Sequence, residues 1–319
     1  MSTRHSGLKD RAFNQGVPSM KELQSEQRKY TIGNITVGGV PGKDTSVLVG
    51  SIFYHRQRSL KFKSETGEFR HSEAERLIKV SEEFSDKTGL PCMLDVILPS
   101  EKWVSQVLDF VTSVTDMPIL LDGGSAEIRI AALEYADQSG IKNKCVYNSL
   151  NPQSKEIEFA KIEEIGLEAA VLLAYNTKDM TLKGRIDAVK QLLPLATQSG
   201  VEKALIDTCV LDVPTLGSAC KAISALKNEL GYPTGCGAHN AIGTWKGLKT
   251  KMGRQAIKSC AAVASTLTIA SGADYVLYGP IEYAPYAFPA VAMVNAAFAQ
   301  LFIEDGDIPP KSHPIFKIG

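Results

Sequence analysis

Three features of the chain predict an α/β fold, a (β/α)8 TIM barrel with an N-terminal β-hairpin closing the barrel bottom. A unit made of a short apolar segment, a polar or glycine stop and a helical stretch recurs eight times from residue 45 onward. Strands that alternate with helices in this way form a parallel sheet with the helices on its outside. The 319 residues, 44% of them hydrophobic, suit one large domain and show no compositional break. The competing arrangement, an open doubly wound sheet, lacks its usual phosphate fingerprint, because Gly33, Gly38, Gly39 and Gly42 do not make G-x-G-x-x-G ahead of a helix.

Taken in order, residues 1–29 are polar and charged without a clear period, and read as an arm that orders on a partner or along the barrel wall. A single domain follows over residues 30–319. Residues 30–40, Y-T-I-G-N-I-T-V-G-G-V, alternate apolar and polar side chains around Gly33-Asn34, the pattern of a tight hairpin. The apolar segments 46–53, 92–98, 119–121, 145–147, 169–174, 204–206, 234–236 and 275–278 are the eight expected barrel strands. Helical stretches lie at 72–87, 101–114, 126–138, 182–198 and 215–230, the first opened by Ser72 and Glu75 as a capping box. The run 284–302 contains Pro285, Pro289, Asn295 and Gln300. Its uninterrupted part falls short of the roughly 20 residues that span a bilayer, so it reads as a buried last helix without direct membrane insertion.

Charge and cysteine usage exclude several classes. Thirty-five Lys and Arg balance thirty-five Asp and Glu, so no long-range field favours nucleic acid or an anionic membrane. Six cysteines without a C-x-x-C, and an N-terminus without the apolar core of a signal peptide, point to reduced thiols in a cytoplasmic protein.

In a barrel the active face lies at the C-terminal ends of the strands. Polar residues close nearly every apolar run: Asp95 in L-D-V-I, Asp122 in I-L-L-D-G-G-S, Asn148 in V-Y-N-S-L-N-P, Asn176 in L-L-A-Y-N-T-K-D, Asp207 in L-I-D-T-C, and Asn240 in G-Y-P-T-G-C-G-A-H-N-A. Each alone also reads as a helix cap or an Asx turn. As a set they have a chemistry. An ionised carboxylate only accepts hydrogen bonds, two of them from a flat edge carrying N–H and NH2, whereas an Asn amide both donates and accepts. Such a ring complements a neutral heterocycle, for example the pyrimidine side of a pterin, and suits phosphate poorly. In the last turn Gly237 allows close backbone approach to a ligand, and His239 is a hydrogen-bonding wall residue.

Other chemistries fit less well. Lysines sit at run starts or on helices rather than where a Schiff base is made, and G-x-S-x-G does not occur. Cys209, Cys236 and His239 all follow strand ends and form a rival zinc set, without tight ligand spacing. No metal is expected to bind directly. Lys178, Arg185 and Lys246 read as solvated surface charges near the mouth, or as partners for an acidic ligand tail.

The segments V-G-S-I-F-Y, S-D-K-T-G-L-P, I-R-I-A-A-L, Y-N-S-L-N-P, A-L-I-D-T, G-Y-P-T-G-C-G-A-H-N-A and L-Y-G-P-I-E, in this order, resemble the H-subunit family of tetrahydromethanopterin S-methyltransferase over about residues 30–287. A more distant similarity runs to the pterin-binding barrels, dihydropteroate synthase among them. The resemblance implies a methyltransferase that moves a methyl group between a methylcorrinoid (methylcobalamin) on a partner corrinoid protein and N5 of tetrahydrofolate, as in soluble bacterial relatives. The alternative is a tetrahydromethanopterin-dependent component of a membrane-associated complex; a zinc-dependent thiol methyltransferase ranks below both. By matching motifs, Asp122, Asn148 and Asp207 would hold the pyrimidine ring, Asn176 would contribute to the same pocket, and Asn240 would face N5 as the catalytic residue. Asp95, Gly237 and His239 complete the expected substrate-binding set. None of the five histidines, His5, His55, His71, His239 and His313, sits in D-x-H-x-x-G, so the corrinoid is expected on a separate protein. The family also implies a homodimer.

Overall fold

A computed structural model describes residues 23–55 and 57–319. Most of the expected arm therefore lies outside the described residues. Its last part runs along the outer wall: the backbone N–H of Gln24 donates to the Asn228 side chain at 3.0 Å and that of Arg28 to the Gly231 carbonyl at 2.8 Å.

Strands β1 (Lys29–Ile32) and β2 (Ile35–Gly38) pair antiparallel around the Gly33-Asn34 turn. Alternation turns Ile32 and Val37 to one face, and both are buried. They pack on Val47, Met93, Leu120, Val146, Leu205 and Tyr275, the lower interior of the barrel. The hairpin thus plugs the bottom by removing two β-branched side chains from water.

The barrel is closed and all-parallel, in the order β10-β3-β4-β5-β6-β7-β8-β9. Its strands are β3 (Val47–Ile52), β4 (Cys92–Leu98), β5 (Ile119–Gly123), β6 (Cys145–Leu150), β7 (Ala169–Leu173), β8 (Lys203–Asp207), β9 (Thr234–Cys236) and β10 (Tyr275–Pro280). Around it run α1 (His71–Thr88), α2 (Val104–Val114), α3 (Ala126–Gln138), α4 (Glu156–Ile165), α5 (Leu182–Gln198), α6 (Val213–Leu230), α7 (His239–Thr244), α8 (Lys246–Met252), α9 (Gln255–Ala270), α10 (Ala284–Ile303) and α11 (Pro314–Lys317). Side chains facing outward from the strands, such as Leu48, Leu94, Leu121 and Leu172, pack with the inner faces of the helices into one large core.

Two local expectations need correction. Ser72 and Glu75 do not form the capping box of α1, which begins one residue earlier with Arg70 at the cap and no side-chain bond to it. The strands at 119–121, 145–147 and 204–206 continue past their apolar runs, so that Asp122, Asn148 and Asp207 belong to the ladder itself. Helix α10 is long and apolar enough to cross a membrane. One face of it, through Ala287, Phe288, Val291 and Phe302, is buried against the protein, while Met293 and Leu301 are exposed.

Candidate functional site

Two-residue periodicity divides the barrel interior into tiers. Val47 and Val49 on β3, Met93 on β4, Leu120 on β5, Val146 on β6 and Leu205 on β8 fill the lower tiers. Two residues further along each strand stand Ser51, Asp95, Asp122, Asn148 and Asp207. The register sets Ser51 beside Asp95 and Asp122 beside Asn148. One pleat step converts a hydrocarbon interior into a layer of polar side chains at the C-terminal mouth.

That layer is wired internally. The Ser51 hydroxyl donates to Asp95 Oδ2 at 2.7 Å, and Asn148 Nδ2 donates to Asp95 Oδ1 at 3.2 Å. Because Asp95 fixes which end of the amide is the donor, the Asn148 carbonyl oxygen is left as an acceptor. Burial pushes the Asp95 and Asp122 carboxyls above the usual carboxylate range, and the Asp95 charge pushes Asp122 further up. Asp207 is raised to about 6 by burial, against the pull of the backbone N–H groups of Cys209 and Gly237 and of the Arg185 charge. Its Oδ1 accepts from the Cys209 N–H at 2.7 Å. Asp95 is satisfied by Ser51 and Asn148, and Asp207 accepts from backbone N–H groups, while the half-buried Asp122 carboxylate, the second Asp207 oxygen and the oriented Asn148 oxygen keep lone pairs that further donors can use.

The β9 turn supplies the remaining rim. A Cβ on Gly237 would stand 3.2 Å from Asn240 Nδ2, and one on Gly279 would stand 2.4 Å from the Cβ of His239. Both glycines make room for the side chains beside them. Gly279 also has φ +92°, a conformation that favours glycine. His239 Nδ1 lies 3.1 Å from the Leu277 carbonyl. A carbonyl only accepts, so Nδ1 carries the proton; burial lowers the pKa of the ring and keeps it neutral, with Nε2 as a further acceptor. Asn240 is exposed on α7, where Ala238 rather than Asn240 holds the cap position. Its side-chain amide has no hydrogen-bond partner among the described residues.

Not every expected residue joins the layer. The Asn176 side-chain oxygen accepts from the backbone N–H groups of Lys178 at 3.0 Å and Asp179 at 3.2 Å, an Asx turn that commits it to shaping the loop after β7. Cys209, Cys236 and His239 do not converge: among the described residues no three His, Cys, Asp or Glu side chains are placed to share a metal ion. Arg185 is not a surface charge. It is fully buried, and its guanidinium donates to the carbonyls of Met180, Thr208 and Cys209.

Sequence reasoning missed five participants, Ser51, Arg129, Tyr147, Glu158 and Glu282. Ser51 lay inside an apolar run. Arg129 donates to the Gly123 carbonyl at 2.8 Å and to Glu158 at 2.5 Å, and Tyr147 shares that Glu158 oxygen at 2.7 Å. Glu282 accepts from Tyr54, Gln57 and Ser59, which ties the loop after β3 to the turn after β10. Ser51, Arg129, Tyr147 and Glu282 lay in the quoted motifs V-G-S-I-F-Y, I-R-I-A-A-L, Y-N-S-L-N-P and L-Y-G-P-I-E without being singled out, and Glu158 lay in none of them. Two clefts flank the mouth, one of about 480 Å³ under the loop after β3, lined by Phe53, Tyr54 and Phe62, and one of about 410 Å³ lined by His239, Trp245, Lys246 and Tyr283.

Comparison with known proteins follows the same lines. The barrel resembles dihydropteroate synthase from Xanthomonas albilineans, at TM-score 0.56 and 14% identity over 86% of this chain and 98% of that one. It also resembles the Yersinia pestis dihydropteroate synthase solved with a pterine-sulfa conjugate, at TM-score 0.59 and 11% identity over 86% of this chain and 100% of that one. At such identities the likeness shows the fold alone. In sequence the chain is 34% identical to the H subunit of tetrahydromethanopterin S-methyltransferase from Methanothermobacter thermautotrophicus over 310 residues, covering 94% of this chain and 100% of that protein. The corresponding protein of Methanocaldococcus jannaschii is likewise 34% identical, over 94% of this chain and 100% of its own length. Both of these relatives are named for tetrahydromethanopterin. With residues 25–308 matched by the family described as the tetrahydromethanopterin S-methyltransferase MtrH subunit, the chain belongs to the MtrH family.

Proposed function

We propose that this chain is the pterin-binding component of a methyltransferase, moving a methyl group between a methylcorrinoid on a partner protein and N5 of a tetrahydromethanopterin-type pterin. The observation that carries the reading is the acceptor layer: Asp122, Asp207 and the Asn148 oxygen fixed by Asp95 offer lone pairs to one flat ligand edge. The N–H and NH2 edge of a reduced pterin supplies donors for the lone pairs left open there, and its hydrogen bonds favour the ionised form of carboxyls that burial otherwise holds up.

The methylcorrinoid supplies a methyl group whose bonding electrons stay with cobalt as the N5 lone pair forms the new C–N bond. N5 then carries a positive charge and loses its proton. The barrel's part is to hold the pterin ring still and to tolerate both states of N5. Asn240 does the second, since its free amide accepts from N5–H or donates to the neutral amine. His239, neutral and bonded to Leu277, holds the wall beside it. The mouth is the docking face for the corrinoid protein. Lys246 and Trp245 in the adjoining cleft are placed to receive the pterin's tail. Exposed Val263, Leu267 and Met293 on α9 and α10 offer a protein contact, either with a second copy or with a membrane-associated complex reached from the cytoplasm.

The test mixes purified chain with methylcobalamin and either tetrahydromethanopterin or tetrahydrofolate and follows loss of the methylcobalamin absorbance. Faster loss with tetrahydromethanopterin is expected. Equal inactivity with both, in the presence of a corrinoid protein, would remove the proposal. Asn240→Ala should lower turnover by about 10²-fold or more while changing the pterin dissociation constant less than about threefold, as expected for a contact made mainly in the transition state.

A further inference from the structure

Asp122 and Asp207, both in the acceptor layer, each have an arginine behind them that forms no ion pair with them. Arg129 on α3 donates through Nη1 to the carbonyl of Gly123, the residue after Asp122, at 2.8 Å. Arg185 on α5 donates through Nη1 to the carbonyls of Thr208 and Cys209, the two residues after Asp207, the latter at 2.5 Å. In both turns the gripped residues include the one whose backbone N–H bonds the aspartate: Gly123 for Asp122, and Cys209, at 2.7 Å, for Asp207. Cys209 is held at φ +61°, uncommon for a side chain of this kind, with its own carbonyl in the grip of Arg185.

Structural need does not explain these arginines well. Neither forms an ion pair with the aspartate it backs, and each buries one N–H group, Arg129 Nε and Arg185 Nη2, without a partner among the described residues. A buried donor left unpaired costs stability. The buried ion pair of Arg129 with Glu158, at 2.5 Å, orients the guanidinium rather than the substrate edge. Guanidinium suits the task, because its planar fork addresses two acceptors at fixed angles.

We propose that Arg129 and Arg185 are a matched pair of positioning residues, each gripping the turn after a ligand-binding aspartate so that the carboxylate stays aimed at the pterin edge and ready to accept from it. The inference rests on the proposed role of Asp122 and Asp207. Their remaining electrostatic surroundings are distinct from the pair: Asp95 faces Asp122, while Asp95, Cys209, Cys236 and Tyr275 face Asp207. Of the charged groups near either aspartate, only the arginine favours the ionised form.

The experiment measures the dissociation constant of tetrahydromethanopterin by calorimetry across pH 5.5 to 8.5 in the whole chain. Arg185→Met and the double variant Arg129→Met with Glu158→Gln, which avoids leaving Glu158 alone, are compared with the parent. Each is expected to bind about tenfold more weakly near neutral pH and to have its acid limb moved upward by about half a unit or more, since the aspartate loses the charge that favours ionisation. Arg129→Lys and Arg185→Lys keep the charge but not the fork; they should leave the acid limb near its parent position while still weakening binding. These two also carry the test if the methionine variants do not fold. Folded variants that match the parent in both affinity and acid limb, while Asp122→Asn and Asp207→Asn lose binding, would overturn the pairing and leave the pterin pocket standing. If the aspartate variants also bind like the parent, the pocket assignment itself fails and the pairing with it.

Discussion

The two ends of the barrel are built from the same strands and handle buried charge in opposite ways. At the bottom, Asp274 has a direct partner: Lys227 Nζ lies 2.7 and 2.9 Å from its two oxygens, and the same ammonium reaches the Gly39 carbonyl of the hairpin at 2.8 Å. Burial raises Asp274 to about 6, but its acceptors are occupied by Lys227 and the Thr234 N–H. At the mouth, Asp95, Asp122 and Asp207 lie near one another without a direct cation. The Asp274 charge is matched within the protein. The mouth aspartates have no such ion pair, and under the proposed function that difference separates a structural carboxylate from a ligand-binding one.

The comparison can be broken most forcefully at the bottom. Lys227→Met leaves Asp274 buried without its cation, and should cost about 3–5 kcal/mol of stability with pterin affinity of the folded fraction unchanged. Thermal denaturation and calorimetry together check this; a loss of affinity would show that the two ends are not independent.

At the top the same operation should have the opposite sign. Asp207 has a folded pKa of about 6, above its unfolded value, so its native form holds a proton more readily. Its contribution is present below the unfolded pKa and is lost as pH rises toward and through 6. Asp207→Asn should therefore stabilise the free protein at pH 8 by of the order of 1–3 kcal/mol and make little difference at pH 4, while weakening pterin binding by roughly 10- to 100-fold. Denaturant melts at the two pH values decide it. A destabilised variant at pH 8 would mean that Asp207 is held by the protein rather than waiting for a ligand.

The smallest effect sharpens the boundary between the two regions. Ile32→Val removes one methylene from the plug, which should cost about 0.5–1.5 kcal/mol without altering the mouth. An unchanged pterin affinity with a lowered melting temperature is the expected pair of readings.

How much of this was legible in the sequence depends on the physical signal each residue carried. Helices at 126–138 and 182–198 were readable to their ends, because apolar periodicity stops where the chain turns. The hairpin was readable from Gly33-Asn34, since its alternation is local. The upper ends of three strands were read short. A polar residue after an apolar run looks like a stop, yet in this barrel Asp122, Asn148 and Asp207 continue the ladder and point inward. Asn176 looked like its neighbours but serves its own loop, a choice set by backbone geometry that one residue type cannot reveal. Arg185 was the hardest. Its partners are carbonyls from another element, and carbonyls leave no trace in a sequence.

The most direct measurement is the structure of the chain with a bound tetrahydropterin. The account predicts the pyrimidine edge at the barrel mouth, with donors within about 3.2 Å of Asp122, Asp207 and the Asn148 oxygen and with N5 toward Asn240. A pterin seated in either flanking cleft with those three residues still lacking its donors would contradict it.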